Sequence, residues 1–458
     1  MADTRAAFVF DGGRCTGCEA CRVACGTENA AGGDTGWRRI LTSNPARHPA
    51  LPTLHLSLAC NHCDTPACLH ACPSAAYHRD EASGAVLLDA SRCLGCRYCS
   101  WVCPYDAPRF DARRGVMTKC TFCAPRLAAG GEPACTAACP TGALALGQRR
   151  DGEREPRGPG IVPTGLGPAL RLLPRRQSLA VAGGSLEPPP AEGALVAPPP
   201  PRKIALGSEW PLVLFGVLLP ALAAWLAAGW KVPALAPAPW LFFLPGAAAI
   251  ALSALHLGRP QRAWRALANL RRSWLSREVA AAHALLGCGL WHRLAPDGGT
   301  AWRLSGALAA LAAVALVLSI DGVYRAVPRA RASRLPGPHP ASVALAAPFL
   351  FLVAAGLALP AIALATLRAL LLAVAFRQGT WGLGRGWAGL RLVLLAVACA
   401  PGLLAAPPAS APHLLVLALA LAGELLDRAA FVSALEPVSP GRVMAVQAAT
   451  ALARARTA

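Results

Sequence analysis

Residues 89–110 read DASRCLGCRYCSWVCPYDAPRF, and the spacing of Cys93, Cys96, Cys99 and Cys103, with Pro104 directly after, decides how the first third of the chain folds. The same C-x2-C-x2-C-x3-C run occurs at Cys15, Cys18, Cys21 and Cys25. Two related groups follow the same logic with looser spacing: Cys60, Cys63, Cys68 and Cys72, then Cys120, Cys123, Cys135 and Cys139, closed by Pro73 and Pro140. Of the 18 cysteines, only Cys288 and Cys399 fall outside these groups, isolated in apolar stretches where they read as small core residues.

Three closely spaced thiolates on a tight loop can wrap three corners of an iron-sulfur cubane, while the fourth cysteine, on the helix that follows, points at a neighbouring cluster. Zinc sites favour isolated C-x2-C pairs, and a disulfide framework belongs to small secreted scaffolds in an oxidising compartment. Triple runs ending in Cys-Pro favour iron-sulfur clusters over both.

Outward from this region the composition changes. The 458 residues are 55% hydrophobic and 15% charged, with mean hydropathy +0.42, and the apolar excess lies almost wholly beyond Ser208. That excludes a single soluble globule. A net charge of +20 and pI near 9.9 would suit nucleic acid, but the arginines are scattered between apolar runs without interleaved stacking aromatics. No nucleic-acid partner is expected; arginine at membrane boundaries is. Met1 to Phe10 has no long apolar stretch and no twin arginine, so export is expected only through a partner.

Residues 151–207 are rich in Pro, Gly and Arg and read as an extended linker between a cysteine-rich domain at 1–150 and a membrane domain at 208–458. A bilayer core of about 30 Å needs about 20 apolar residues. Candidate spans run over 210–230, 237–257, 278–294, 302–319, 342–365, 367–376, 389–404 and 413–435. Eight spans are expected, or seven if Arg368 breaks the region between the fifth and sixth. His256 closes the second span, Arg262 follows in the loop and Glu278 opens the third. A histidine beside a carboxylate can accept the protons of a quinol; the other reading is boundary residues that anchor helix ends. Glu424 and Arg428 are four apart on one helix, with Asp427 alongside, and read as a mutual neutralisation.

Two stretches carry family resemblance. CTGCEACRVACGTEN, ACNHCDTPACLHACP, DASRCLGCRYCSWVCPYDAPRF and VMTKCTFCAPRLAAGGEPACTAACPTGAL resemble the four-cluster electron-transfer subunit of the dimethyl sulfoxide reductase family of molybdenum enzymes. GSEWPLVLF, SALHLGRPQRAWRALANLRRSWLSREV and AGELLDRAAFV resemble that family's quinol-oxidising membrane anchor. The resemblance implies a fusion of two normally separate subunits: an α+β ferredoxin-like domain with four [4Fe-4S] clusters, then an all-α polytopic membrane domain. It pairs Cys15, Cys18, Cys21 with Cys139; Cys120, Cys123, Cys135 with Cys25; Cys60, Cys63, Cys68 with Cys103; and Cys93, Cys96, Cys99 with Cys72. It further implies menaquinol as diffusible substrate, His256, Arg262 and Glu278 as its site, and a separate molybdopterin-containing catalytic subunit as partner. Asn29, Trp37, His62, Tyr98 and Lys119 lie near the cysteines, where tuning and packing roles both remain open.

Two other functional readings stand beside this one: an ion-translocating membrane module driven by the clusters, which needs a file of protonatable groups across the bilayer, and the same chain run in reverse to reduce quinone. For sidedness, Arg259, Arg262, Arg265, Arg271, Arg272 and Arg277 in one loop and Arg325, Arg329, Arg331 and Arg334 in another favour a cytoplasmic cluster domain in a bacterial inner membrane. Relatives with an exported catalytic subunit place it on the opposite face.

Overall fold

The computed structural model describes residues 4–29, 36–45, 51–150, 152–173, 203–328, 342–377, 383–404 and 409–457, with a few isolated positions between. The chain forms two compact units, one of residues 1–202 with 437–458 and one of residues 203–436. Most of the expected linker, including its proline runs, lies outside the described residues, as do Arg329, Arg331 and Arg334.

In the first unit the elements are short because the cysteine loops interrupt them. In order they are β1 (Thr4–Asp11), α1 (Ala20–Asn29), β2 (Arg39–Thr42), β3 (His55–Leu58), α2 (Ala67–Ala71), β4 (Tyr77–Arg79) and β5 (Val86–Leu88). Then come α3 (Tyr98–Val102), β6 (Arg109–Asp111), β7 (Val116–Thr118), α4 (Ala124–Ala128), α5 (Ala134–Ala137), β8 (Leu144–Arg150) and β9 (Leu170–Leu173). A three-stranded sheet runs β8-β1-β9, antiparallel on one side of β1 and parallel on the other; β2 with β3, β4 with β5 and β6 with β7 form antiparallel ribbons. In β1, Phe8 and Phe10 are buried opposite Leu146 and Leu144. At Gly147, Val9 occupies the space a side chain would need.

The unit does not end at residue 150. Residues 153–173 return across it as a strap ending in β9, held by Glu155, whose carboxylate accepts from the backbone N–H groups of Thr164 (2.5 Å), Gly165 (3.0 Å) and Gly167 (2.6 Å). The strap docks on the second cysteine group through Asp64 N to Gly167 O (2.9 Å) and Ala169 N to Asn61 O (2.7 Å). Arg149 donates to Asp64 at 3.1 Å, and Arg5 pairs with the same carboxylate. Composition suggested a tether here; local polar satisfaction and apolar Leu170 and Ile161, each 2% exposed, instead fold its first part onto the core.

The C-terminal helix belongs to this unit too. In the numbering continued below it is α15 (Pro440–Thr457); Gln447 accepts from Gly160 N at 3.0 Å, and Met444 fills the space beside Gly160, whose φ of +75° suits glycine.

The second unit contains α6 (Leu206–Lys231), α7 (Pro239–Ser253), α8 (Trp274–Leu294), α9 (Thr300–Arg325), α10 (Val343–Ala354), α11 (Ala358–Arg377), α12 (Arg385–Ala398), the single turn α13 (Pro401–Leu404) and α14 (Ala411–Ala434). Short 3₁₀ turns at Ala254–His256 and Pro260–Leu267 lie between α7 and α8. Among the described residues, four segments are long and apolar enough to cross a membrane: Leu206–Lys231, Pro239–His256, Thr300–Arg325 and Ala358–Arg377. The fifth and sixth candidate spans need correction. The break falls at residues 355–357, where Gly356 takes φ +66°, so the fifth helix is shorter and the sixth longer than expected. Arg368 does not break α11; it lies inside it, 1% exposed.

The helices run alternately up and down. At one end of the bundle Trp230 donates to His292 Nε2 (2.6 Å) while His292 Nδ1 meets Trp302 O (3.0 Å), joining the ends of α6 and α8 to the start of α9. At the other end Asp321, near the end of α9, receives Ser342 Oγ and the backbone N–H groups of Val343 (3.0 Å) and Ala344 (3.2 Å), capping α10. Val353, Ala361, Ala398 and Val416 meet in one apolar cluster, which sets α11 and α12 antiparallel.

Between α11, α12 and α14 lies a buried quartet of charges. Arg368 bonds Glu424 through both guanidinium edges and Asp427 at 2.6 Å; Arg391 reaches Asp427 at 2.8 Å and Glu424 at 3.3 Å. The expected partner of Glu424, Arg428, is not one of them. Two arginines from other helices offer bidentate geometry that one helical turn cannot, and Arg428 instead lies over the rings of Tyr324 (4.5 Å) and Phe431 (5.4 Å).

Candidate cluster sites and quinol site

The four C-x2-C turns share one backbone device. The residue before the second cysteine takes a left-handed conformation in each: Gly17 (φ +73°), His62 (+41°), Gly95 (+73°) and Phe122 (+62°). Such turns aim backbone N–H groups inward. His62 N points to Cys60 Sγ (3.5 Å), Gly95 N to Cys93 Sγ (3.3 Å) and Phe122 N to Cys120 Sγ (3.3 Å). His62 and Phe122 adopt this conformation without being glycine, and their rings stack 4.8 Å apart.

The last cysteine of each group leaves its own loop: Cys25 stands on α1, Cys72 and Cys103 directly follow α2 and α3, and Cys139 follows α5. The side chains then gather in sets of four. One cavity is lined by Cys15, Cys18, Cys21 and Cys139, another by Cys60, Cys63, Cys68 and Cys103. Cys96 and Cys99 act electrostatically on Cys72 and Cys93. Asn29 Nδ2 lies 3.8 Å from Cys25 Sγ and 3.9 Å from Cys123 Sγ, while Cys135 acts on both Cys25 and Cys120. No cysteine is in a disulfide among the described residues.

The donor chemistry fits iron-sulfur clusters. Burial and the neighbouring thiols raise Cys63 and Cys99 well above the ordinary thiol range, and burial pushes Cys96 up to about 12. Metal must therefore displace protons that the fold otherwise retains. Cys139 goes the other way: burial acts against it, but N–H donation from Leu144 (3.4 Å) and the Thr141 hydroxyl hold it low. When bound, the clusters supply one-electron carriers. The protein's part is to bury the thiols, donate N–H groups to them and exclude water.

Polar side chains stand between neighbouring sets. Arg38, 2% exposed, acts on Cys21, Cys120 and Cys135; Lys119, 3% exposed, acts on Cys68 and Cys120; Tyr77 acts with Cys68, Cys72 and Cys99. Lys119 donates to the carbonyls of Val86 and Cys120, and His62 Nδ1 accepts from Val86 N at 3.0 Å. Trp37 and Tyr98 pack into the apolar surroundings, Tyr98 edge-on to Trp101. Arg38 was missed by the sequence reading, and its only signal was a charged residue at the entrance to a half-buried strand.

In the helical unit, the turn carrying His256 packs on the turn carrying Arg262, and that turn is tied to α8 by Ser276 Oγ donating to Ala266 O at 2.6 Å. Both His256 and Arg262 are half-buried; Glu278, one turn into α8, is 6% exposed. Among the described residues, the guanidinium of Arg428 acts on Glu278, with Tyr324 and Glu209 in the same polar group. Glu209, Tyr324 and Arg428 are each under a tenth exposed and come from α6, α9 and α14. Gly216 makes room for Arg428; a side chain there would come within 2.9 Å of Nε. These three residues lie far from Glu278 in sequence, so no local pattern announced them.

Comparison with known proteins agrees with this division. A family model described as "4Fe-4S dicluster domain" matches residues 52–149, and one described as "DMSO reductase anchor subunit (DmsC)" matches residues 237–320. The probable anaerobic dimethyl sulfoxide reductase chain YnfG of Escherichia coli K12 is 42% identical over 152 residues, covering 31% of this chain and 74% of that protein. An anaerobic dimethyl sulfoxide reductase chain of Haemophilus influenzae is 41% identical over 30% of this chain and 71% of its own length. The thiosulfate reductase electron transfer subunit PhsB of Salmonella typhi is 40% identical over 32% and 77%. With four-cysteine sites in one unit and apolar helices with an anchor-subunit match in the other, the chain belongs to the iron-sulfur subunit family of the dimethyl sulfoxide reductases, fused to a membrane anchor.

Proposed function

We propose that this chain oxidises menaquinol in its helical unit and delivers the electrons, through four [4Fe-4S] clusters, to a separate molybdopterin-containing subunit that acts on the terminal substrate. The eight helices α6 to α12 and α14 serve as eight membrane spans, so that both connections to the cysteine-rich unit leave from one end of the bundle. The observation that carries the quinol reading is Glu278, buried near the start of α8, the helix against which the turn carrying Arg262 packs; the turn of His256 packs on that turn in its own right.

Oxidation of a quinol releases two protons and two electrons. In this reading His256 accepts the proton of a ring hydroxyl, Arg262 holds the quinol and Glu278 passes the proton on. His256→Ala should slow reduction of the protein by quinol severely while iron content and reduction by dithionite stay intact. Glu278→Gln should give a milder form of that defect, and Arg262→Ala should weaken quinol binding. Wild-type quinol kinetics in His256→Ala would move the site elsewhere.

An ion-translocating module would need protonatable groups free to exchange; the mid-bundle carboxylates Glu424 and Asp427 are each bonded to two arginines, which supports electron transfer instead. Reverse flow, from a donor-oxidising partner to quinone, would use the same residues. The arginines after α7 support a cytoplasmic cysteine-rich unit, and cleavage of the 174–202 segment by protease added outside intact spheroplasts would refute that placement.

A further inference from the structure

Arg38 is among the largest side chains fully buried in the first unit, 2% exposed, and no carboxylate pairs with it among the described residues. Its guanidinium lies over the Phe8 ring at 4.3 Å, which fixes one face. Nη1 donates to Ser57 Oγ at 3.1 Å, and that hydroxyl in turn lies 3.4 Å from Cys21 Sγ. Nε and Nη2 are buried and have no oxygen or nitrogen acceptor among the described residues, while the Cys135 thiol stands within hydrogen-bonding reach of the guanidinium. Leaving the donors of a buried cation unsatisfied is costly, so a guanidinium kept in this condition calls for an acceptor. The groups that act on it most strongly are sulfurs: Cys21 from one four-cysteine set, Cys120 and Cys135 from the next.

We propose that Arg38 is a positioning residue that stands between two iron-sulfur sites, donates its free N–H groups to their sulfurs and holds both reduction potentials up. Each one-electron reduction adds a negative charge without making or breaking a bond. A fixed cation and N–H donors stabilise the more negative form, and hydrogen bonds to cluster sulfurs are a general lever on potential. Arg38 fits this better than lysine would, because a planar fork on Phe8 can address Ser57 with one edge and sulfur with the others. The sulfurs that act on it most strongly all belong to the first two sets, so the shift is expected to be largest there. The inference rests on the reading that the first two sets each hold a cluster.

The test is an EPR-monitored redox titration of the full-length protein, with iron and sulfide measured on the same samples. Arg38→Gln should keep its iron and lower the potentials of two of the four centres by at least tenfold in the reduction equilibrium, about 59 mV for one electron. Arg38→Lys, which keeps the charge without the fork, should fall between. Full iron with four unmoved potentials in Arg38→Gln overturns the proposal, and so does an equal shift of all four. If Arg38→Gln fails to load, Ser57→Ala and Arg38→Lys decide: a drop in at least one centre of the first pair supports the proposal, and unmoved potentials in both loaded variants overturn it. Wild-type protein short of iron at the first two sets would defeat the loading reading instead.

Discussion

Arg368 and Glu424 face each other in the middle of the helical unit, guanidinium edge to carboxylate, with the second bond at 2.8 Å and each side chain no more than 3% exposed. Arg391 and Asp427 complete a net-neutral set. Removing one member leaves a buried charge uncompensated, whereas removing a matched pair does not. Arg368→Met or Glu424→Gln alone should cost about 3–5 kcal/mol, read as loss of thermal stability in detergent. The Arg368→Met, Glu424→Met double variant should recover a large part of that loss, and equal losses in the single and double variants would count against mutual neutralisation.

Arg428 is expected to matter for quinol chemistry rather than for the quartet. Arg428→Gln removes a cation acting on Glu278 and should lower quinol-driven reduction of the protein about tenfold, a loss of roughly 1.4 kcal/mol in transition-state stabilisation. Adding Glu278→Gln to Arg428→Gln should cost little further. Additive losses in the double variant would place the two residues in separate roles.

Anaerobically purified protein should contain about sixteen iron and sixteen sulfide per chain. Cys139→Ser should remove about four of each while sparing the rest, because Cys139 completes one set only. Loss of half the iron from this single substitution would show that neighbouring sites load as a unit.

Glu155 ties stability of the strap to pH. Burial raises its carboxyl, but the N–H groups of Gly167, Thr164 and Gly165, together with Arg149, outweigh burial and hold it below the usual range. A depressed carboxyl contributes stability above its unfolded pKa and loses it as pH falls through the folded one. The protection of the amides of residues 164–167, measured relative to their intrinsic exchange rates at each pH, should therefore be high at neutral pH and fall below the ordinary glutamate range. Glu155→Gln should exchange faster at neutral pH and lose most of this acid dependence; unchanged protection in that variant would assign the strap's hold to its apolar contacts.

Cysteine spacing made the first unit legible because a cluster loop is local: in the two tightest groups three cysteines and the left-handed residue between them lie within seven positions, as at Cys93, Gly95, Cys96 and Cys99. The apolar runs made the helices legible for the same reason. What escaped were arrangements between distant segments. Arg368 looked like a break because its partners Glu424 and Asp427 are on another helix, and Arg428 looked paired with Glu424 because only their spacing was visible. The return of residues 153–173 to the sheet rests on Glu155 and three backbone amides, which leave no periodic trace in sequence.

The contact of Gln447 with Gly160 also governs the order in which the molecule can be finished. A ribosome makes Gly160 early and Gln447 only after every helix of the second unit has been threaded. The cysteine-rich unit is therefore complete only after the whole second unit has been made, and until then the backbone around Gly158 and Gly160 waits without the helix that will cover it.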